Sequence, residues 1–208
     1  MRDWFIEFFG GIQWERIRQF VTRRRYALTY KDHKRILWQL AQSNYVILTW
    51  RRAHMSSWLC LLGHWWLTRR WVAWSHACMN VETGDRILQN DVQILEAVGC
   101  GVKRTGFYQV FDCDAVCILR PLVSEGFDWD AAVQYALTTV GRKYDTRFDL
   151  SKDDCLSCVE VILVALKQDP QFHLRFHGLE AMIRNEKNLT PAMFVECGSF
   201  ETVLEIRR

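Results

Sequence analysis

Residues 153–166 read DDCLSCVEVILVAL, with two cysteines, Cys155 and Cys158, at the mouth of an unbroken apolar run. Three chemistries fit such a pair: metal ligation, inert burial, or a nucleophile beside a bystander. The start of the helix separates the two thiols. Ser157 and Glu160 form a Ser-x-x-Glu capping box. In it the serine hydroxyl accepts from the Glu160 N–H and the glutamate reaches back to the Ser157 N–H. Cys158 is then the first helical residue, beside unpaired backbone N–H groups and at the positive end of the helix dipole, where a thiolate is stabilised. Cys155 precedes the helix and gains much less.

Metal ligation would need two further ligands. The Cys113/Cys117 and His173/His177 pairs are spaced i,i+4, but neither makes a standard zinc pattern with Cys155 and Cys158. No metal and no organic cofactor is expected. Cys60, Cys78, Cys100, Cys113, Cys117 and Cys197 read as inert buried thiols.

A thiolate nucleophile calls for an imidazole that pairs with it and protonates the leaving group. Of the six histidines, His76 in WVAWSHACMN (71–80) is the best placed, because strand alternation can aim it at one face of a sheet. A strand histidine with a purely structural role is the competing reading. His33, His54 and His64 sit in helical, partly polar contexts, and His173 and His177 lie in a less regular region. The imidazole needs an acceptor for its other N–H. Glu96, a carboxylate inside the apolar run VQILEAV (92–98), fills that role, with Asp85, Asn80 and Gln89 behind it.

Around these residues the chain has the composition of a folded protein: 208 residues, half of them hydrophobic and a quarter charged. The net charge is +3, concentrated in RIRQFVTRRRY (16–26), WRR (50–52) and TRRW (68–71). Such runs either form a solvated face or touch phosphate or anionic lipid. Eight cysteines without zinc-ribbon spacing suit a reducing compartment. The start lacks the pattern of a signal peptide, and the tryptophan-rich stretch 58–74 is broken by Arg69 and Arg70 before it could span a bilayer. A cytoplasmic location is expected, or a virion-associated one if the chain is of phage origin.

Periodicity predicts helices at 3–25, 31–42, 54–67, 105–112 and 128–140, and one or two more between 171 and 197. Short β runs fall at 44–50, 71–81, 85–91, 92–98 and 115–121, with a final one in ETVLEI (201–206). The segments ETGD (82–85) and GCGVKRTG (99–106) read as turns. The class is therefore α+β, with an antiparallel sheet or partial barrel packed against the helix that carries the cysteine. The aromatic face of 3–25 either packs on the domain's own core or docks on a membrane surface or a protein assembly.

WSHACM (74–79), ILEAVGCGV (94–102), VCILRP (116–121) and 132–166, followed by LTPAMF (189–194), together resemble the circularly permuted branch of the NlpC-type papain-like superfamily. The nearest likeness is to its YiiX/YebB-like group, with lecithin:retinol acyltransferase-like proteins as more distant relatives. The resemblance covers roughly residues 44 to 206. It implies a permuted papain-like catalytic domain over 44–208, with 1–43 as an N-terminal helical elaboration.

The same resemblance implies Cys158 as nucleophile, His76 as base and Glu96 as orienting acid. Gly141, Tyr144, Asp145 and Phe148 match the step before the cysteine, and Tyr144 would line the site or aid the oxyanion. Val159 departs from the serine that commonly follows the nucleophile, and the third catalytic position varies in the family. The implied activity is a cysteine-dependent hydrolase or acyl transferase acting on peptidoglycan peptide or amide bonds, or on lipid amides or esters. The competing expectation is a catalytically silent papain-fold protein that docks through residues 3–25, as in a phage virion. Nucleic acid is not an expected partner.

Overall fold

In a computed structural model, residues 28–51, 57–58, 61–62, 65–66, 74–84, 92–122, 126–145, 154–185 and 190–207 are described. The helix expected at 3–25, the run 85–91 and residues His54, Cys60, His64, Asp85, Gln89 and Phe148 lie outside them.

Helix α1 (Tyr30–Leu40) opens the described chain on a capping box. Thr29 Oγ1 accepts from the Asp32 N–H at 3.3 Å, and Asp32 accepts from the Thr29 N–H at 2.8 Å. There follow β1 (Val46–Trp50), β2 (His76–Asn80), β3 (Gln93–Val98), β4 (Gly101–Gly106), the one-turn helix α2 (Phe107–Val110) and β5 (Ala115–Pro121). The last third holds α3 (Trp129–Thr138), α4 (Cys158–Leu166), α5 (Phe172–Arg175), α6 (His177–Asn185), α7 (Met193–Glu196) and β6 (Phe200–Arg207).

The six strands form one open sheet in the order β4-β3-β2-β1-β5-β6, every neighbouring pair antiparallel. Both faces are covered, which is why β1 reads as a continuous apolar run and is buried throughout. Alternation sends Val46, Leu48, Ala77, Met79 and Leu95 into a core shared with α3 and α4. Ile47, Cys78, Ile94, Val116 and Ile118 pack on the other face with Ile36 and Leu40 of α1 and Phe107 and Phe111 around α2. Eight of the nine residues of α4 are buried. That explains why every residue of it except the capping Glu160 is apolar, each buried Val, Ile or Leu being worth roughly 1.5–3 kcal/mol. The α+β architecture with an antiparallel sheet against the cysteine helix is thus the observed one.

Four local expectations change. GCGVKRTG is mostly strand: Val98 pairs with Gly101 across a tight hairpin, and Val102 and Thr105 supply β-branched side chains to β4. Residues 57–58, 61–62 and 65–66 are helical as expected, yet the buried positions are Ser57 and Leu61, while Trp58, Leu62 and Trp66 are exposed. Cys117 lies in strand β5, so Cys113 and Cys117 share no helical face. Cys100, read as a buried thiol, is exposed in the β3–β4 turn. Among the described residues no helix is long and apolar enough to cross a membrane.

Candidate active site

The capping box expected from Ser157 and Glu160 starts helix α4. The Ser157 N–H donates to Glu160 Oε2 at 2.5 Å, and the Glu160 N–H donates to Ser157 Oγ at 3.4 Å. Cys158 occupies the first helical position, and among the described residues nothing accepts from its N–H or from that of Val159. Helix α4 packs across β2 and β3, which brings its N-terminal end to the strands that carry the other two expected site residues.

His76 is the first residue of β2, and Glu96 pairs with Cys78 across the β2–β3 ladder. His76 and Glu96 are therefore diagonal neighbours on one sheet face, close enough for long side chains to meet. His76 Nε2 lies 2.8 Å from Glu96 Oε2. Burial by itself would lower the His76 pKa. Hydrogen bonding to the Cys158 thiol and to Glu96, and the charges of both, outweigh it and raise the value from 6.5 to about 9. With Nε2 committed to Glu96, Nδ1 is the nitrogen left for the thiol.

Glu96 shows the reciprocal effect. Its burial opposes ionisation, but hydrogen bonds from His76 and Thr105 and the charges of His76 and Arg51 hold its pKa down at about 2. The side chains of His76 and Glu96 are 22% and 7% exposed, and Cys158 is 5% exposed. The imidazole is thus the most accessible member of the three. Solvent or a substrate would meet the trio there.

Two supports were not legible in the motifs. The Thr105 hydroxyl, on β4, donates to Glu96 Oε1 at 2.6 Å and occupies the carboxylate oxygen that His76 leaves. Strand alternation through the segment read as a turn would have placed it. Arg51, in a run left open between a solvated face and a contact with phosphate or anionic lipid, donates through Nη2 to the carbonyls of Gln109 and Val110 at 2.7 and 3.2 Å, capping the C-terminus of α2. Its charge from there also bears on Glu96.

The loop before the cysteine is tied to the edge of the sheet. Gly141 N–H donates to Val102 O and Val102 N–H to Arg142 O, both at 2.9 Å, and Lys143 O accepts from Leu156 N–H at 2.9 Å. Lys143 and Cys155 form a parallel bridge. Gly101 allows this close approach: its φ is +108°, and a Cβ there would sit 2.4 Å from the Arg142 carbonyl oxygen. Tyr144 follows directly, half-buried against the core that contains Cys158.

The remaining candidates are engaged elsewhere. Asn80 is fully buried, accepting from the Tyr45 N–H and donating to the Ser43 and Glu82 carbonyls, so it braces β2 rather than His76. His33 Nε2 lies 3.3 Å from the Phe111 carbonyl, and His173 Nδ1 lies 2.9 Å from Glu180. Burial pushes the Cys78 thiol well up, Cys113 to about 12 and Cys117 to about 11, which keeps these thiols protonated and inert. Among the described residues no group of three or more His, Cys, Asp or Glu side chains could hold a metal ion.

No protein-family model matches the chain, and no curated protein matches it in sequence. Among solved structures it is similar to the metalloprotein yiiX from Escherichia coli O157:H7, assigned to DUF1105. The TM-score is 0.56 at 19% identity, over 81% of this chain and 99% of that one. The likeness is one of fold, and its subject is a YiiX/YebB-like protein, the group that the sequence motifs resemble.

Proposed function

We propose that the chain is a cysteine-dependent hydrolase or acyl transferase, with Cys158 as nucleophile, His76 as base and acid, and Glu96 as the residue that orients His76. The observation that carries this reading is the contact of His76 with both Cys158 and Glu96 at the start of α4. A purely structural histidine would need neither a thiol at a helix N-terminus nor a buried carboxylate held by a second donor.

In the acylation step the Cys158 sulfur attacks the carbonyl carbon of an amide or ester, and the C–S bond forms as the carbonyl oxygen takes the negative charge. The N–H groups of Cys158 and Val159 are the helix-start donors available to that oxygen. Tyr144, from the adjoining loop, is the side chain proposed to line this end of the site. The imidazolium of His76 then gives its proton to the departing amine or alcohol, which leaves a thioester on Cys158. In deacylation His76 takes a proton from water, or from an acceptor alcohol or amine, as that oxygen or nitrogen attacks the thioester. The C–S bond breaks, and the thiolate–imidazolium pair is restored. Glu96 stays ionised throughout.

The structural neighbour is described as a metalloprotein. The described residues of this chain do not fit a metal centre, and no step above is routed through one. Peptidoglycan amides and lipid amides or esters are the two substrate classes to screen. Incubation with labelled muropeptides, fatty-acyl amides and activated acyl esters, followed by mass spectrometry of the quenched protein, tests the proposal. An acyl adduct on the Cys158 peptide, absent in Cys158→Ala and accumulating in His76→Ala only with activated esters, supports it. Turnover that persists in Cys158→Ala would overturn it.

A further inference from the structure

Two lysines flank the site from the edge of the sheet. Lys143 is exposed, in the loop that bonds to Val102 and that Gly101 lets approach. It forms the parallel bridge with Cys155, and the chain from there to Cys158 spans at most about 11 Å. Lys103, half-buried on β4, stands directly opposite Glu96 in the β3–β4 ladder and on the same sheet face. Among the described residues neither ammonium has an ion pair or a hydrogen bond.

The surroundings do not neutralise them. Residues 99–106 and 138–144, which build this edge, contain no Asp or Glu. Of the described acids beside them, Asp145 is buried and Asp154 pairs with neither lysine. In its thiolate–imidazolium form the trio keeps one net negative charge, that of Glu96, which is buried and already bonded to His76 and Thr105. Two lysines and the positive end of α4 therefore leave the approach to Cys158 positive. Such an approach concentrates anions and can hold the negative group of a substrate while the sulfur attacks elsewhere on it. Lysine acts as a point charge, so the fit is to carboxylate and phosphate alike.

We propose that Lys143 and Lys103 select acyl substrates that carry an anionic group, carboxylate or phosphate, several bonds away from the scissile carbonyl. This rests on Cys158 being the nucleophile and adds the charge of the substrate that it takes.

The test labels the full chain at low salt with three thiol probes: N-iodoacetyl-aminohexanoate, its neutral methyl ester, and the phosphate monoester of N-iodoacetyl-aminohexanol. The rate at Cys158 is read by mass spectrometry of fragments that separate it from Cys155. At least one anionic probe labels Cys158 about fivefold or more faster than the ester, and added salt erases the preference. Which anion is preferred tells a carboxylate substrate from a phosphate one. Lys143→Gln and Lys103→Gln each reduce the preference, Lys143→Glu removes or reverses it, and Lys143→Arg keeps it. Equal rates for all three probes in wild type, or a preference that survives in Lys143→Glu and Lys103→Gln combined, would overturn the proposal. Failure of the catalytic reading shows separately, in the ester arm, as a Cys158 rate that His76→Ala leaves unchanged.

Discussion

Replacing Glu96 by Gln isolates the electrostatic contribution to the site, because glutamine keeps the size and a hydrogen-bonding oxygen and removes the charge. The rise of the His76 pKa from 6.5 to about 9 corresponds to about 3 kcal/mol in favour of the imidazolium. That preference is shared between Cys158 and Glu96 and is partly cancelled by burial. Even a third of it assigned to the Glu96 charge lowers the His76 midpoint to about 8 or below. The assay is an NMR titration of the imidazole Cε1–H in histidine-labelled wild type and Glu96→Gln, from mildly acid to strongly alkaline pH.

Stability follows with a definite sign. The raised His76 pKa stabilises the fold fully below 6.5, and the contribution is lost as pH rises through about 9. The lowered Glu96 pKa stabilises it above about 4.5, and that contribution is lost as pH falls towards 2. Both describe one contact and are not summed. The stability gap between wild type and Glu96→Gln is therefore widest between about pH 4.5 and 6.5 and closes as pH passes 9. An unchanged His76 midpoint in Glu96→Gln, or a gap that grows with alkalinity, would refute the reasoning.

Thr105→Val removes the 2.6 Å hydrogen bond to Glu96 and leaves a buried carboxylate oxygen short of a donor. A loss of about 1–3 kcal/mol in urea unfolding is expected, with rescue by Thr105→Ser. An effect the same in Thr105→Ser as in Thr105→Val would mean that packing, not the hydroxyl, matters. Gly101→Ala places a Cβ against the Arg142 carbonyl at a left-handed φ, so the loop before the cysteine must shift. A loss of about 2 kcal/mol or more is expected by thermal unfolding, and a wild-type Tm would show that the approach is slack.

The residues with local signals were the ones that sequence made legible. Ser157 and Glu160 announce a helix start through contacts three residues apart, so the rank of Cys158 over Cys155 could be read before any tertiary contact was known. His76 and Glu96 stand out because each interrupts an apolar strand. What escaped depends on pairing between segments. Thr105 serves the site only through the β3–β4 register, and three glycines within eight residues hid its strand as a turn. The role of Arg51 was hidden because nothing in WRR foretells the carbonyls of Gln109 and Val110. The tryptophan-rich stretch had helical spacing, but its inward face rests on Ser57 and Leu61, and hydrophobicity alone pointed to the opposite side.

The central claim, that His76 makes Cys158 the reactive thiol, is tested most directly by following iodoacetamide labelling of each of the eight cysteines by mass spectrometry across pH. In wild type at mildly acid pH, Cys158 should label fastest despite its burial, with buried Cys78, Cys113 and Cys117 slowest, and His76→Ala should slow Cys158 by about tenfold or more. Equal rates at Cys155 and Cys158, or a Cys158 rate indifferent to His76→Ala, would contradict it.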